Sequence, residues 1–190
     1  MNNAQAIFGE PANGTKKKVR PYMVELVQDF IKKSPFLVMA SCNAQGHNDA
    51  SPRGGKPGFV KVIDEKHLVI PDISGNKLFQ SYENIETNPY IGLIFFIPGI
   101  DRTVRVNGKV KILRKGDSEF DKLTMDVFMP DYNESLLQAL MLEVVESYSH
   151  CPRALTYSKL WNTPVINKNR GSLLVSKLRS LVRRGKNLFA

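Results

Sequence analysis

Between Pro21 and Ser34 the apolar positions Met23, Leu26, Val27, Phe30 and Ile31 recur at three- and four-residue spacing. That spacing puts them on one face of a helix. Proline is tolerated in a first helical turn, so the helix is expected to open at Pro21; Ser34-Pro35 stops it. From Phe36 the period shortens. Phe36–Ala40 is a short apolar run and Asn43-Ala44-Gln45-Gly46 is turn-like. Further strands are expected from near Asn48, over Gly58–Ile63 and over His67–Pro71, with Asp64-Glu65-Lys66 as a tight connection. Short strands separated by turns predict an antiparallel sheet or barrel. A helix is expected from Asn76 to Thr87, with Leu78, Phe79, Tyr82 and Ile85 turned inward and Asn88-Pro89 as its end. Tyr90–Ile97 follows as a buried strand, and Pro98-Gly99 turns the chain into a long strand over Thr103–Leu113.

In that long strand Thr103, Arg105, Asn107, Lys109 and Lys111 alternate with Val104, Val106, Gly108, Val110 and Ile112. One face is therefore apolar and the other polar and basic. Asp117–Met125 predicts a helix, Leu140–Val145 a strand (the pattern also allows a helix), and Arg153–Leu160 a short helix. Residues 1–20, rich in Asn, Gly, Ala and Lys, read as a loose arm. Ser172–Arg183 sets Leu173, Leu174, Leu178, Leu181 and Val182 against Lys177, Arg179 and Arg183, a basic amphipathic helix. The expected organisation is an arm over 1–20, one domain over 21–166, and a basic tail over 167–190.

Composition changes this picture in two places. The 190 residues are 42% apolar and 24% charged, ordinary for a folded domain and unlike a disordered chain. The net charge is +9, and the segment from Ser147 onward carries nine basic residues and no acidic one. The body is thus neutral, and the tail reads first as a solvated basic helix, with nucleic acid or another anionic surface as the alternative, a partner for the tail alone. The longest apolar run, Ile91–Ile97, is far short of the roughly 20 residues of a membrane-spanning helix. No apolar core follows the basic run at Lys16–Arg20, so no secretory leader is expected. Two cysteines, Cys42 and Cys151, make no disulfide framework, which fits a cytoplasmic protein with reduced thiols.

Catalytic signatures such as a nucleophile elbow, a zinc-binding helix or a phosphate-binding glycine loop are absent. His47, His67 and His150 are scattered without metal-ligand spacing, and nothing in the sequence supplies a base for Cys151. Two polar clusters stand out. Ser51-Pro52-Arg53-Gly54-Gly55-Lys56-Pro57-Gly58-Phe59 combines bases, a hydroxyl and glycines that let backbone approach a ligand. Pro71-Asp72-Ile73-Ser74-Gly75-Asn76-Lys77 leads into a helix, whose N-terminus offers free N–H groups to a phosphate. Taken singly, each also reads as an ordinary turn or cap.

The order of the pieces says more than either cluster. Ser51–Gly54, Pro57–Phe59, Gly75–Lys77, Thr87–Pro89, Arg105–Gly108 and a segment from His150 to Trp161 occur in sequence at plausible spacing. This arrangement resembles the pyridoxamine 5′-phosphate oxidase-like flavoproteins, the FMN-binding split barrels, over about residues 22–163. The resemblance implies a six-stranded antiparallel split β-barrel with flanking helices. It implies a homodimer with two FMN molecules at its interface. Asn76 and Lys77 match phosphate contacts, with Ser81 one turn further on. Arg53 matches a basic strand residue that contacts FMN, and Ser51 shares its strand face. Thr103 and Arg105 match a strand that often comes from the partner subunit and faces the flavin. Trp161 falls where relatives place an aromatic near the cofactor, a position that equally suits a packing anchor. Lys77 stands where the subgroup has arginine, which keeps the charge and loses bidentate geometry. The basic and aromatic substrate residues of the pyridoxamine phosphate oxidases have no match near this C-terminus.

Two functions are therefore open. One is an FMN-dependent oxidoreductase acting on an unidentified small molecule, with Arg105 as the positive group near the flavin pyrimidine. The other is a nonenzymatic protein of the same fold that holds flavin, haem or a polyanion, since split-barrel relatives also bind haem or the deazaflavin F420.

Overall fold

The computed structural model describes residues 3–73, 77–122 and 136–172. The chain forms a mainly antiparallel sheet with flanking helices. Its strands are β1 (Phe36–Cys42), β2 (Asn48–Gly54), β3 (Lys61–Val62), β4 (His67–Ile73), β5 (Tyr90–Phe96), β6 (Thr103–Arg114) and β7 (Leu136–His150). They lie in the order β2-β1-β5-β6-β7-β4-β3, so the sheet has seven strands where six were expected. One of them, β3, is only two residues long. The expected strand over Gly58–Ile63 shrinks to this pair because Gly58 takes a positive φ of 82°, which breaks the extended backbone.

Contacts divide the described chain into two compact units. The first holds Met1–Ile97 and Arg102–His150; the second holds Pro98–Asp101 and the chain from Cys151. In the first unit, α3 (Glu25–Lys33) and α4 (Gln80–Thr87) flank the sheet. α3 starts at Glu25 rather than Pro21, with Val24 as its extended N-cap residue. Val27 and Ile31 are buried and Phe30 packs against the core, whereas Leu26 of the expected face is exposed. Leu37, Met39, Leu93, Phe95, Val104, Val106 and Leu142 complete the centre of that core. Burial of such side chains contributes roughly 1.5–3 kcal/mol each. A smaller cluster on the opposite face of the sheet joins Val69, Leu113 and Ala139 to Phe120 of α5 (Ser118–Lys122).

The N-terminal stretch carries two short helices, α1 (Asn3–Phe8) and α2 (Asn13–Lys16), without a buried residue. It is pinned where Arg20 and Ser147 exchange backbone hydrogen bonds, and Ser147 Oγ donates to the Tyr22 carbonyl. The second unit holds α6 (Arg153–Tyr157) and α7 (Thr163–Arg170). α7 was not expected; Asn162 caps it by accepting from the Val165 N–H, and Pro164 occupies its first turn. The basic amphipathic helix expected over Ser172–Arg183 lies, beyond Ser172, outside the described residues. No helix among them is long and apolar enough to cross a membrane.

Candidate functional site

The residues singled out by sequence fall on both faces of the sheet. Facing residues of an antiparallel pair project to the same side. Ser51 faces Met39, which faces Leu93; Arg53 faces Leu37, which faces Phe95. All four partners are core residues, so Ser51 and Arg53 point inward. Thr103 and Arg105 of β6 stand on the other face, because the intervening Val104 and Val106 are in the core. One copy of the chain therefore does not bring the two pairs together.

On the inner side, Arg53 and its neighbours close a seam. β2 and β4 are not hydrogen-bonded to each other. Arg53 Nη1 spans the gap, donating to Asp72 Oδ1 at 3.0 Å. Gln138 of β7 donates to the other carboxylate oxygen, Oδ2, at 3.1 Å. The guanidinium carbon lies 5.9 Å from the centroid of the Tyr82 ring. Arg53 Nε is buried without a hydrogen-bond partner among the described residues. Beside this group Ser81, also buried, donates to Asp49 Oδ2 at 2.6 Å. Ser81 and Arg53, both candidates for cofactor contact, are thus already engaged with carboxylates of this chain.

Burial pushes the Tyr82 phenol above its ordinary value of 10.0, the Asp72 carboxylate adds to the rise, and Arg53 opposes it. Above about pH 10 the unfolded chain therefore ionises this tyrosine while the folded one keeps the proton. Stability that is full below that pH then falls as pH rises, by up to about 1.4 kcal/mol per pH unit for one group. Urea unfolding at pH 9 and pH 11 is expected to show a smaller alkaline loss in Tyr82→Phe than in wild type. Equal losses would rule the linkage out.

The helix after β4 starts later than the periodicity suggests. Its first residue is Gln80, and Phe79 before it adopts a left-handed φ of 50°. Lys77 is likewise left-handed, at φ 60°. Lys77 is therefore outside the first turn, exposed on the segment that leads into the helix. Leu78 and Phe79, expected inside, are largely exposed, whereas Tyr82 and Ile85 are buried as expected. Asn76 lies outside the described residues.

The outer face is arranged in rows across five strands. Pro52, Val38, Ile94, Arg105 and Tyr148 form one row. Ala50, Ala40, Gly92, Asn107 and Glu146 form the next, and Thr103 pairs with His150 on the other side. Arg105 is half-buried, and its Nη1 donates to the Tyr148 hydroxyl at 3.3 Å. It has no carboxylate partner among the described residues. Asn107 Nδ2 donates to Glu146 Oε1 at 2.6 Å, and the Tyr148 and His150 rings lie 6.3 Å apart. Ala50, Ala40 and Gly92 make a low floor beside these groups. A Cβ on Gly92 would stand 3.0 Å from Asn107 Oδ1.

A β-bulge aims this row. The β6–β7 register shifts between Asn107 and Gly108, so that Asn107 faces Glu146 while Gly108 faces Val144, leaving Val145 as the extra residue. A one-residue offset exchanges the two faces of a strand. The bulge therefore keeps Glu146, Tyr148 and His150 on the side of Asn107, Arg105 and Thr103. Sequence reasoning overlooked Tyr148 and Glu146, which carry a signal only once that pairing is known.

Trp161 belongs to the second unit, where its Nε1 donates to the Ile100 carbonyl at 3.1 Å. His67 pairs with Asp64 at 2.9 Å on the surface. Cys42 is half-buried and Cys151 exposed. No group of three or more potential metal ligands occurs among the described residues.

Comparisons with known proteins follow the same outline. A family model described as pyridoxamine 5′-phosphate oxidase matches residues 23–149. No curated protein matches the chain. Among solved structures, a candidate pyridoxamine 5′-phosphate oxidase from Lactobacillus delbrueckii is 20% identical, with 68% of this chain and 95% of that chain covered and a TM-score of 0.50. A HupZ variant from Group A Streptococcus is 16% identical over 67% of this chain and 99% of its own, at a TM-score of 0.49. HutZ, the haem storage protein from Vibrio cholerae, is 10% identical over 64% and 90%, at 0.46. At these identities the likeness is one of fold.

Proposed function

Because the chain belongs to the pyridoxamine 5′-phosphate oxidase family, whose model spans more than half of it, we propose that it is an FMN-dependent oxidoreductase acting on a small substrate. The flavin would lie against the outer face of β1, β5 and β6. The observation that carries this reading is Arg105, a half-buried guanidinium on an open sheet face, with a neutral phenol as partner and no carboxylate among the described residues. A cation withdrawn from water without an anion is uncompensated. A ligand with an anionic edge compensates it, and the floor of Ala50, Ala40 and Gly92 leaves space for a flat ring beside it.

When bound, FMN supplies the electron chemistry, and the protein supplies orientation and charge. Arg105 would favour negative charge on the pyrimidine edge. Asn107, held by Glu146, presents an amide on the same face. Lys77, exposed beside the start of α4, is the candidate for the phosphate. Ser51 and Arg53 point to the opposite side of the sheet from Thr103 and Arg105. If both pairs contact FMN, they come from two copies. We therefore assign the protein as a homodimer with FMN between subunits, the half-exposed Phe36, Val38, Ile94 and Phe96 covering the contact.

The visible spectrum of natively purified protein tests the reading. Oxidised-flavin bands and release of FMN on denaturation are expected; a Soret band, or no chromophore and no uptake of added FMN, would overturn it. Lys77→Ala is expected to weaken FMN binding by about 1.5 kcal/mol, near tenfold, the scale of an exposed charge-assisted contact. Unchanged affinity by fluorescence titration would remove Lys77 from the phosphate site. Light scattering is expected to show a dimer, and a monomer that binds FMN tightly at micromolar concentration would contradict the shared site.

A further inference from the structure

The outer face contains a pair whose second member has no assigned role. Tyr148 faces Arg105 across β6 and β7, and its hydroxyl accepts from Nη1 at 3.3 Å. The phenol is held in turn: the His150 ring lies 6.3 Å away on the same strand face, and the extra residue at Val145 sets the register that puts Tyr148 there at all. An arginine side chain has several rotatable bonds, and holding it in one pose has an entropic cost. A hydrogen bond to the phenol oxygen reduces the number of poses without neutralising the charge, which a carboxylate in the same place would do.

We infer that Tyr148 is the positioning residue for Arg105, fixing the guanidinium so that its charge meets the edge of the ring that gains electrons. This rests on the flavin reading above. The charge of Arg105 matters little to the neutral oxidised ring and much to the reduced anion, so its placement acts on the reduction equilibrium more than on FMN affinity. Removing the phenolic hydroxyl leaves the charge present but loosely held. The potential then moves in the same direction as on removing Arg105, by a smaller step.

The test compares the full-length wild type, Tyr148→Phe, Arg105→Met and the double variant, each loaded with FMN. FMN dissociation constants come from fluorescence titration and two-electron midpoint potentials from dye equilibration. Arg105→Met is expected to lower the reduction equilibrium constant about tenfold, about 30 mV for a two-electron couple. Tyr148→Phe is expected to lower it about threefold with FMN affinity within about twofold, and to do nothing further once Arg105 is Met, as coupled residues do. An unchanged potential in Tyr148→Phe, or an equal shift with and without Arg105, would overturn the positioning role while the flavin reading stands. A wild type that takes up no FMN would sink both. Tyr148→Phe keeps the ring, and its thermal unfolding, matched to wild type, shows that the fold is intact.

Discussion

Gly108→Ala is expected to cost the protein roughly 3 kcal/mol or more, beyond the usual range for an added methyl group. A Cβ on Gly108 would sit 2.2 Å from the Glu143 carbonyl oxygen, 2.8 Å from Leu142 Cδ2 and 3.0 Å from the Glu143 carbonyl carbon. Two of those atoms are backbone of the neighbouring strand, and the third belongs to a fully buried leucine. The leucine methyl is a side-chain end, but its full burial leaves it little room to swing away. Relief requires β6 and β7 to separate at the bulge, which breaks ladder hydrogen bonds on both sides of it. Domains of this size are stable by only about 5–15 kcal/mol, so the variant should show a greatly lowered urea midpoint or fail to accumulate. A midpoint within the error of wild type would mean that the close approach at Gly108 is not a feature of the folded protein.

The second large effect is expected at the inner seam. Arg53→Ala takes the cationic partner from the buried Asp72 carboxylate and leaves it the neutral donors Gln138 and Tyr82. Breaking a buried pair on one side costs about 3–5 kcal/mol, and the partial exposure of Arg53 places this case near the lower end, about 3. Replacing both partners by apolar residues of similar size, Arg53→Met with Asp72→Leu, is expected to recover most of the loss, because no uncompensated charge remains. Denaturant unfolding of the wild type, Arg53→Ala and the double variant makes the comparison. A double variant no more stable than Arg53→Ala would mean that the pair contributes through something other than mutual compensation of charge.

Most of the sheet is legible in the sequence because alternation and turn residues are local properties. Val104, Val106 and Val110 announce the buried face of β6, and Asn43–Gly46 announces the first hairpin. Periodicity also finds Tyr82 and Ile85. It overextends the helix before them, because Lys77 and Phe79 take left-handed backbone angles that no apolar spacing records. Pairing is not local. That Arg53 would meet Asp72, nineteen residues away in the chain, follows from the path of the sheet and not from either strand's pattern. The same holds for Tyr148 opposite Arg105, forty-three residues apart. Ser81 is legible as a hydroxyl near a helix start, yet its orientation toward Asp49 depends on how α4 packs on β2. The resemblance marks which residue types matter, and the register decides which of them face each other.

The seam has a consequence for how the protein behaves among its own copies. β2 is an edge strand of seven residues, hydrogen-bonded among the described strands to β1 alone. An exposed edge of that length is a template on which a strand of another chain can add, the first step toward fibres or swapped assemblies. Here Pro52 offers no N–H to an incoming strand. Asp49 and Arg53 turn their charges inward, a second device that discourages extension of the sheet. At the opposite end β3, with two residues, is too short to act as a template. Edge-to-edge polymerisation is therefore discouraged at both ends of the sheet.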